Sequence, residues 1–139
     1  PFSEADDLQS ECDRYNNLLK TNQIDLQLLG IGANGHIGFN EPGTPFESET
    51  FVVKLSERTI EDNKRFFNSI DEVPNYAITM GIKNIMDAKA IVLIANGKNK
   101  AEAIYKLVNG KINPDFPASA LRNHDNVTII IDEDAAALL

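Results

Sequence analysis

Two side chains able to do acid–base chemistry, His36 and Glu41, lie within eight positions of an amide able to orient them, Asn34. The two are an imidazole and a carboxylate. Imidazole suits proton transfer because its unperturbed pKa of about 6.5 lies close to neutral pH. A carboxylate beside it favours the imidazolium and orients the ring. The stretch holding them, Leu29 to Gly43, carries five glycines in fourteen positions and a proline, and shows neither strand nor helix periodicity. It follows the apolar run Ile24 to Leu29. The expected context is therefore an irregular loop at the carboxyl end of a buried strand, where open α/β sheets hold their ligands. Glycine allows close backbone approach and positive φ in such loops. A tight surface loop with incidental polar residues has the same composition, since loops are polar by default.

Gly30-Ile31-Gly32-Ala33-Asn34-Gly35 also spells G-x-G-x-x-G after a strand. A dinucleotide site needs a helix opening at the third glycine, and an acidic residue at the end of a second strand about 20 positions on. Gly38 and Pro42 stand where that helix would run, and no such strand follows. The context excludes nicotinamide binding, and no other cofactor is expected. No Cys/His cluster has metal-ligand spacing, and no Ser sits in a nucleophile elbow.

The run Leu29-Gly30-Ile31-Gly32-Ala33-Asn34-Gly35-His36-Ile37-Gly38-Phe39-Asn40-Glu41-Pro42-Gly43 resembles the signature of glucosamine-6-phosphate deaminases. The sister 6-phosphogluconolactonases share the Gly-His core and diverge at Phe39–Pro42. The resemblance continues through Arg65-Phe66-Phe67, Ala77-Ile78-Thr79-Met80-Gly81 and Phe116-Pro117-Ala118-Ser119-Ala120-Leu121. It implies opening of a pyranose, transfer of a proton from C2 to C1 and loss of ammonia, turning glucosamine 6-phosphate into fructose 6-phosphate. His36 then matches the ring-opening residue and Glu41 its carboxylate partner. Asn34 stands where many deaminases have Asp and others Asn; Gly35 falls among the substrate-binding positions. Arg65 and Lys100 match the phosphate-binding cations, although each, taken alone, has the look of a solvated surface charge. The resemblance covers the C-terminal portion of the family's fold. It places further strands, a glycine-rich phosphate loop and the acidic base for C2 before Pro1, so the chain is expected to be a partial single domain over residues 1–139. Two rival readings are a sugar-phosphate-binding module without turnover, which has no need of His36 and Glu41, and a lactonase. Family members range from monomers to hexamers, so a homo-oligomer is among the states allowed.

The elements that must position these residues alternate. Ser3 to Lys20 has a helical apolar stripe, with Ser3 and Asp6 as a capping box. Ile24–Leu29 is a strand, and Phe51–Leu55 is a strand at an edge or at the rim of the site. Ser56 caps a helix through Phe66. Pro74 precedes the run Tyr76–Met80, which Gly81 ends, and a short helix spans Ile82–Met86. The continuous apolar run Ala90–Ala95 reads as a strand buried on both faces. A helix from Asn99 ends at Gly110, and Pro117 starts another to Leu121. Val127–Ile131 is a third buried strand, and Asp132 caps a last helix; His124 falls in a turn. The expected fold is α/β: an open, mostly parallel, Rossmann-like sheet with flanking helices, short of its N-terminal strands.

At 139 residues, with 42% hydrophobic and 24% charged residues, the chain has the composition of one soluble globular domain. A net charge of −8 argues against nucleic-acid binding and requires local cations to hold an anionic substrate. Cys12 is the single cysteine, which excludes an internal disulfide and fits a cytoplasmic location. No apolar run approaches the length of a membrane span, and no signal peptide is recognisable.

Overall fold

A computed structural model of the chain describes residues 7–55, 60–61 and 64–139. Helix α1 runs Leu8–Thr21, and Asp7 is its N-cap. The Asp7 carboxylate accepts from the backbone N–H groups of Gln9 and Ser10 at 3.0 and 3.3 Å, satisfying donors that the first helical turn leaves free. The capping box expected at Ser3 lies outside the described residues. Strands β1 (Gln27–Leu29), β2 (Phe51–Lys54) and β3 (Tyr76–Thr79) follow, then the short helix α2 (Ile82–Met86) and strand β4 (Ile91–Ala95). A 3-10 turn at Lys98–Lys100 leads into α3 (Ala101–Asn109); a second, Pro117–Asn123, precedes β5 (Val127–Ile131).

The described strands make two sheets. One is parallel in the order β1-β4-β5, with Leu28 opposite Val92 and Val92 opposite Thr128. The other is the antiparallel pair β2 and β3, with Phe51 opposite Thr79. β1 is shorter than the strand expected over Ile24–Leu29: the chain bends at Asp25, and the carbonyls of Ile24 and Asp25 accept from the N–H groups of Lys89 and Ala90 outside the strand ladder. The parallel order puts three carboxyl ends on one side, and the Gly30–Gly43 loop leaves from one of them.

Strand alternation sends Leu29, Ile91 and Leu93 to one face, where they are buried with Ile104 and Leu107 of α3, Leu121 and Ile37. The opposite face is open. Leu28 is 61% exposed, Ile94 46% and Ile130 51%. This corrects the expectation that the strands are buried on both faces. A continuous apolar run reports that both faces are apolar; it does not report whether a second layer covers the second face.

Further differences follow from local hydrogen bonding. The helix expected over Ser56–Phe66 falls partly outside the described residues; its end, Lys64–Phe66, is a 3-10 turn. The helix expected after Asp132 is absent, and residues 133–138 are turns. The 3-10 segment that Pro117 opens extends to Asn123, past Leu121. Gly110 does end α3, but with φ −73°, an extended and not a left-handed conformation.

A buried polar cluster joins α1 to the β2–α2 region. Asn16 Oδ1 accepts from Thr50 N at 3.0 Å and from Asn84 Nδ2 at 3.3 Å. Asn84 Oδ1 in turn accepts from Gly81 N and from Thr50 Oγ1, both at 3.1 Å. Six polar groups of four residues, otherwise stranded without water, are satisfied mutually.

Asp132 ties the ends of β4 and β5 together. Its carboxylate accepts from Ala135 N at 2.8 Å and from Gly97 N at 3.0 Å to each oxygen. These N–H donors, Ala135 foremost and then Gly97, pull its pKa below the usual aspartate range. A depressed folded pKa contributes stability that is present above the ordinary value of about 3.9 and is lost as pH falls through the folded value. Asp132→Asn should therefore lower Tm most at neutral pH, and the deficit should shrink toward zero in strong acid. Thermal melts of both proteins followed from neutral to strongly acidic pH check this; a deficit independent of pH would assign the effect to something other than the ionised carboxylate.

Candidate active site

The loop leaving β1 closes on itself within a few residues. Gly32 N donates to His36 O and Gly35 N to Gly32 O, both at 2.9 Å. Gly35 has φ +85°, and a Cβ there would stand 2.3 Å from the ring of Phe116. Its carbonyl accepts from Ala118 N at 2.8 Å, so both its backbone groups bond within the protein. Gly35 thus acts as a turn against which the Phe116–Ala118 segment packs. Gly43 N, bonded to Pro114 O at 2.9 Å, braces the far end of the loop two residues before that segment.

The structure brings Asn34, His36 and Glu41 together. Asn34 Nδ2 donates to Glu41 Oε2 at 2.8 Å. Asn34 Oδ1 accepts from His36 N at 3.2 Å and lies 2.8 Å from His36 Nδ1. Glu41 Oε1 is 3.7 Å from the same ring nitrogen. These contacts determine the proton positions. An ionised carboxylate only accepts and a backbone N–H only donates, so the Asn34 amide has its NH₂ toward Glu41 and its oxygen toward His36. That oxygen accepts, so Nδ1 carries the proton. In the neutral ring Nε2 is left as the free basic nitrogen. Both side chains are about one-third exposed, 36% for His36 and 33% for Glu41, so a solute can reach the ring.

Gly32 sets where the ring lies. A Cβ on Gly32 would fall 2.3 Å from both Cε1 and Nδ1 of His36. The imidazole therefore packs on a bare α-carbon, a position that any other residue would take from it.

The two expected cations are placed differently from one another. Lys100 reaches the loop: its Nζ donates to Ile31 O at 2.8 Å, and two of its three N–H donors have no partner among the described residues. Arg65 stacks on Phe66, 4.8 Å from the ring centroid. It borders a groove lined by Lys64, Phe67, Asn68, Ser69 and Ile70, a set without any of the three loop residues. A separate groove lined by Leu28, Gly30, Gly38, Phe39, Thr79 and Met80 runs beside the loop. Asn40 and Thr79 stand in motifs that carry the resemblance but have no role assigned from sequence; both bond to the loop backbone. His124 lies in its turn, with Nε2 2.8 Å from Ala88 O and Nδ1 accepting from Asn126 N. Among the described residues no group of three or more His, Cys, Asp or Glu side chains is arranged to hold a metal ion. Among the same residues no helix is long and apolar enough to cross a membrane.

A solved monomeric glucosamine-6-phosphate deaminase superposes with a TM-score of 0.92 at 56% identity, over 98% of this chain and 57% of that one. A glucosamine-6-phosphate deaminase of Clostridium novyi (strain NT) is 60% identical over 140 residues, which is 100% of this chain and 58% of that protein. The chain thus spans less than two thirds of the length of either. The 6-phosphogluconolactonase of Trypanosoma brucei, at 20% identity and a TM-score of 0.70 over 100% of this chain and 57% of its own, shares the fold. The family model described as glucosamine-6-phosphate isomerases/6-phosphogluconolactonase matches residues 1–130, and with that extent of match the chain belongs to this family.

Proposed function

We propose that the whole protein is a glucosamine-6-phosphate deaminase, converting glucosamine 6-phosphate and water to fructose 6-phosphate and ammonia. The observation that carries this reading is the Glu41–Asn34–His36 chain of contacts, which leaves His36 Nε2 as a free base at the exposed side of a glycine loop. In ring opening, Nε2 takes the proton of the C1 hydroxyl and delivers it to the ring oxygen as the C1–O bond breaks, leaving the open-chain aldehyde. The imidazolium formed in between is held by Asn34 Oδ1 and faces the Glu41 carboxylate. The base that moves the C2 proton is not in this group of three. We assign it to the part of the relatives' length that this chain does not span.

The phosphate falls to cations. Lys100 is at the loop's entrance with donors to spare, and Arg65 is free of carboxylate partners among the described residues. The substrate is a small molecule, no nucleic acid or membrane partner is proposed, and the location proposed is the cytoplasm.

The direct test is release of ammonia from glucosamine 6-phosphate by the whole protein; no release with that substrate overturns the assignment. Within it, His36→Gln should reduce kcat by ~10²–10⁴-fold, the range a positioned proton carrier supplies, with sugar-phosphate affinity retained. A variant with parental kcat removes His36 from the reaction.

Gly32→Ala should behave as a milder version of the same lesion, because its methyl group occupies the space of the His36 ring. Its kcat should fall while phosphate binding holds, and the NMR signal of the Nδ1–H proton should move. Parental kcat with an unmoved signal would show that the ring has room to spare.

Arg65→Ala and Lys100→Ala should each weaken binding of inorganic phosphate, by roughly 1.5–3 kcal/mol for one lost charge-assisted contact. Calorimetric titration with phosphate measures it, and unchanged binding in either variant returns that residue to the surface.

A further inference from the structure

Asn40 stands one position before Glu41, yet its side chain is wholly enclosed, at 0% exposure. Its Nδ2 donates to Ile37 O and to Met80 O, both at 2.8 Å, while Oδ1 has no partner among the described residues. A buried acceptor without a partner is unfavourable, so this amide is held in place by its two donors and not by full satisfaction. Thr79 makes a second junction. Its Oγ1 accepts from Phe39 N at 3.1 Å and donates to Met80 O at 3.2 Å. Gly38 leaves little slack between them, since a Cβ there would lie 3.1 Å from the same hydroxyl. The Ile37–Asn40 turn, itself closed by Asn40 N to Ile37 O at 3.1 Å, is thus bolted to the end of β3.

Glu41 is confined from its other side as well. Pro42 restricts its backbone to the extended region. The Glu41 carbonyl accepts from Thr44 N at 3.0 Å and Thr44 Oγ1 at 2.7 Å.

We propose that Asn40 and Thr79 are positioning residues of the reaction: by fixing the Ile37–Asn40 turn to the end of β3, they set where the Glu41 carboxylate meets Asn34 and His36. The proposal rests on the reading of His36 and Glu41 as the proton-carrying pair. Neither residue touches the reacting atoms. Their effect is on alignment, where displacement of a catalytic group by about 1 Å costs up to ~10²-fold in rate.

The decisive variants are Thr79→Val, which keeps the shape and removes the hydroxyl, and Thr79→Ser, which keeps the hydroxyl; Asn40→Ala is the companion. In the whole protein, Thr79→Val should lower kcat by about tenfold or more while KM for glucosamine 6-phosphate stays within about twofold, and Thr79→Ser should recover most of the loss. The Nδ1–H proton of His36 should shift or broaden in Thr79→Val, with the ring signals of His124 unmoved as an internal reference. Parental kcat in folded Thr79→Val overturns the proposal. So does a loss that tracks a lowered Tm, leaves the His36 signal unmoved and is not recovered by Thr79→Ser. If Asn40→Ala fails to fold, the Thr79 pair decides alone. His36→Gln separates the two levels: parental turnover in it sinks the proton-carrier reading and the proposal together. Loss in His36→Gln beside an unimpaired Thr79→Val sinks the positioning role alone.

Discussion

The Asn34 side-chain amide has one acceptor and one donor group, and the loop uses both. Glu41 must receive, so it takes the NH₂; the His36 backbone N–H must give, so it takes the oxygen. With the amide oriented this way, the imidazole has a single option for Nδ1, which is to donate. The tautomer of His36 is therefore a consequence of donor–acceptor polarity across three residues. An Asp at position 34 would present two acceptors and no donor, so it would repel Glu41 and pull charge onto the ring. Asn couples carboxylate and imidazole without adding a charge, which leaves Glu41 to supply the negative potential at 3.7 Å from Nδ1.

The rest of the structure holds that contact in place. Ile37, at 0% exposure, plugs the loop into the core beneath the sheet's carboxyl edge, so His36 rides on a residue that cannot move without opening the core. The Phe116–Ala118 segment packs on Gly35, and Lys100 holds Ile31 O at the loop's start. The loop has no regular secondary structure of its own, and its order comes from these tethers. A glycine-rich segment loses more backbone entropy on ordering than any other kind, at roughly 1–2 kcal/mol per residue, so several such contacts are needed to hold it in one conformation.

The sheet is finished on one side and open on the other. Leu29, Leu93, Ile104 and Leu107 form a dry layer, while Leu28, Ile94 and Ile130 lie on the uncovered face of the same three strands. Parallel sheets in α/β proteins are normally covered on both faces, and this chain spans 58% of the Clostridium relative's length. Among the described residues no second layer covers the apolar side chains of this face.

Much of this was legible in the residues. The alternation of strands and helices, the loop at the carboxyl end of the first strand and the grouping of Asn34, His36 and Glu41 all depend on separations of seven residues or fewer, or on periodicity within one element. Chain connectivity brings such residues together almost regardless of the fold. Other features depended on contacts between distant segments. Thr79 meets Phe39 across 40 positions and Lys100 meets Ile31 across 69. Nothing local marks Thr79 as a loop anchor, or tells that Lys100 reaches the loop while Arg65 borders another groove. The open face of the sheet was hidden for the same reason. Hydrophobic pattern encodes which side chains avoid water, but which surfaces meet is decided only when the layers pack.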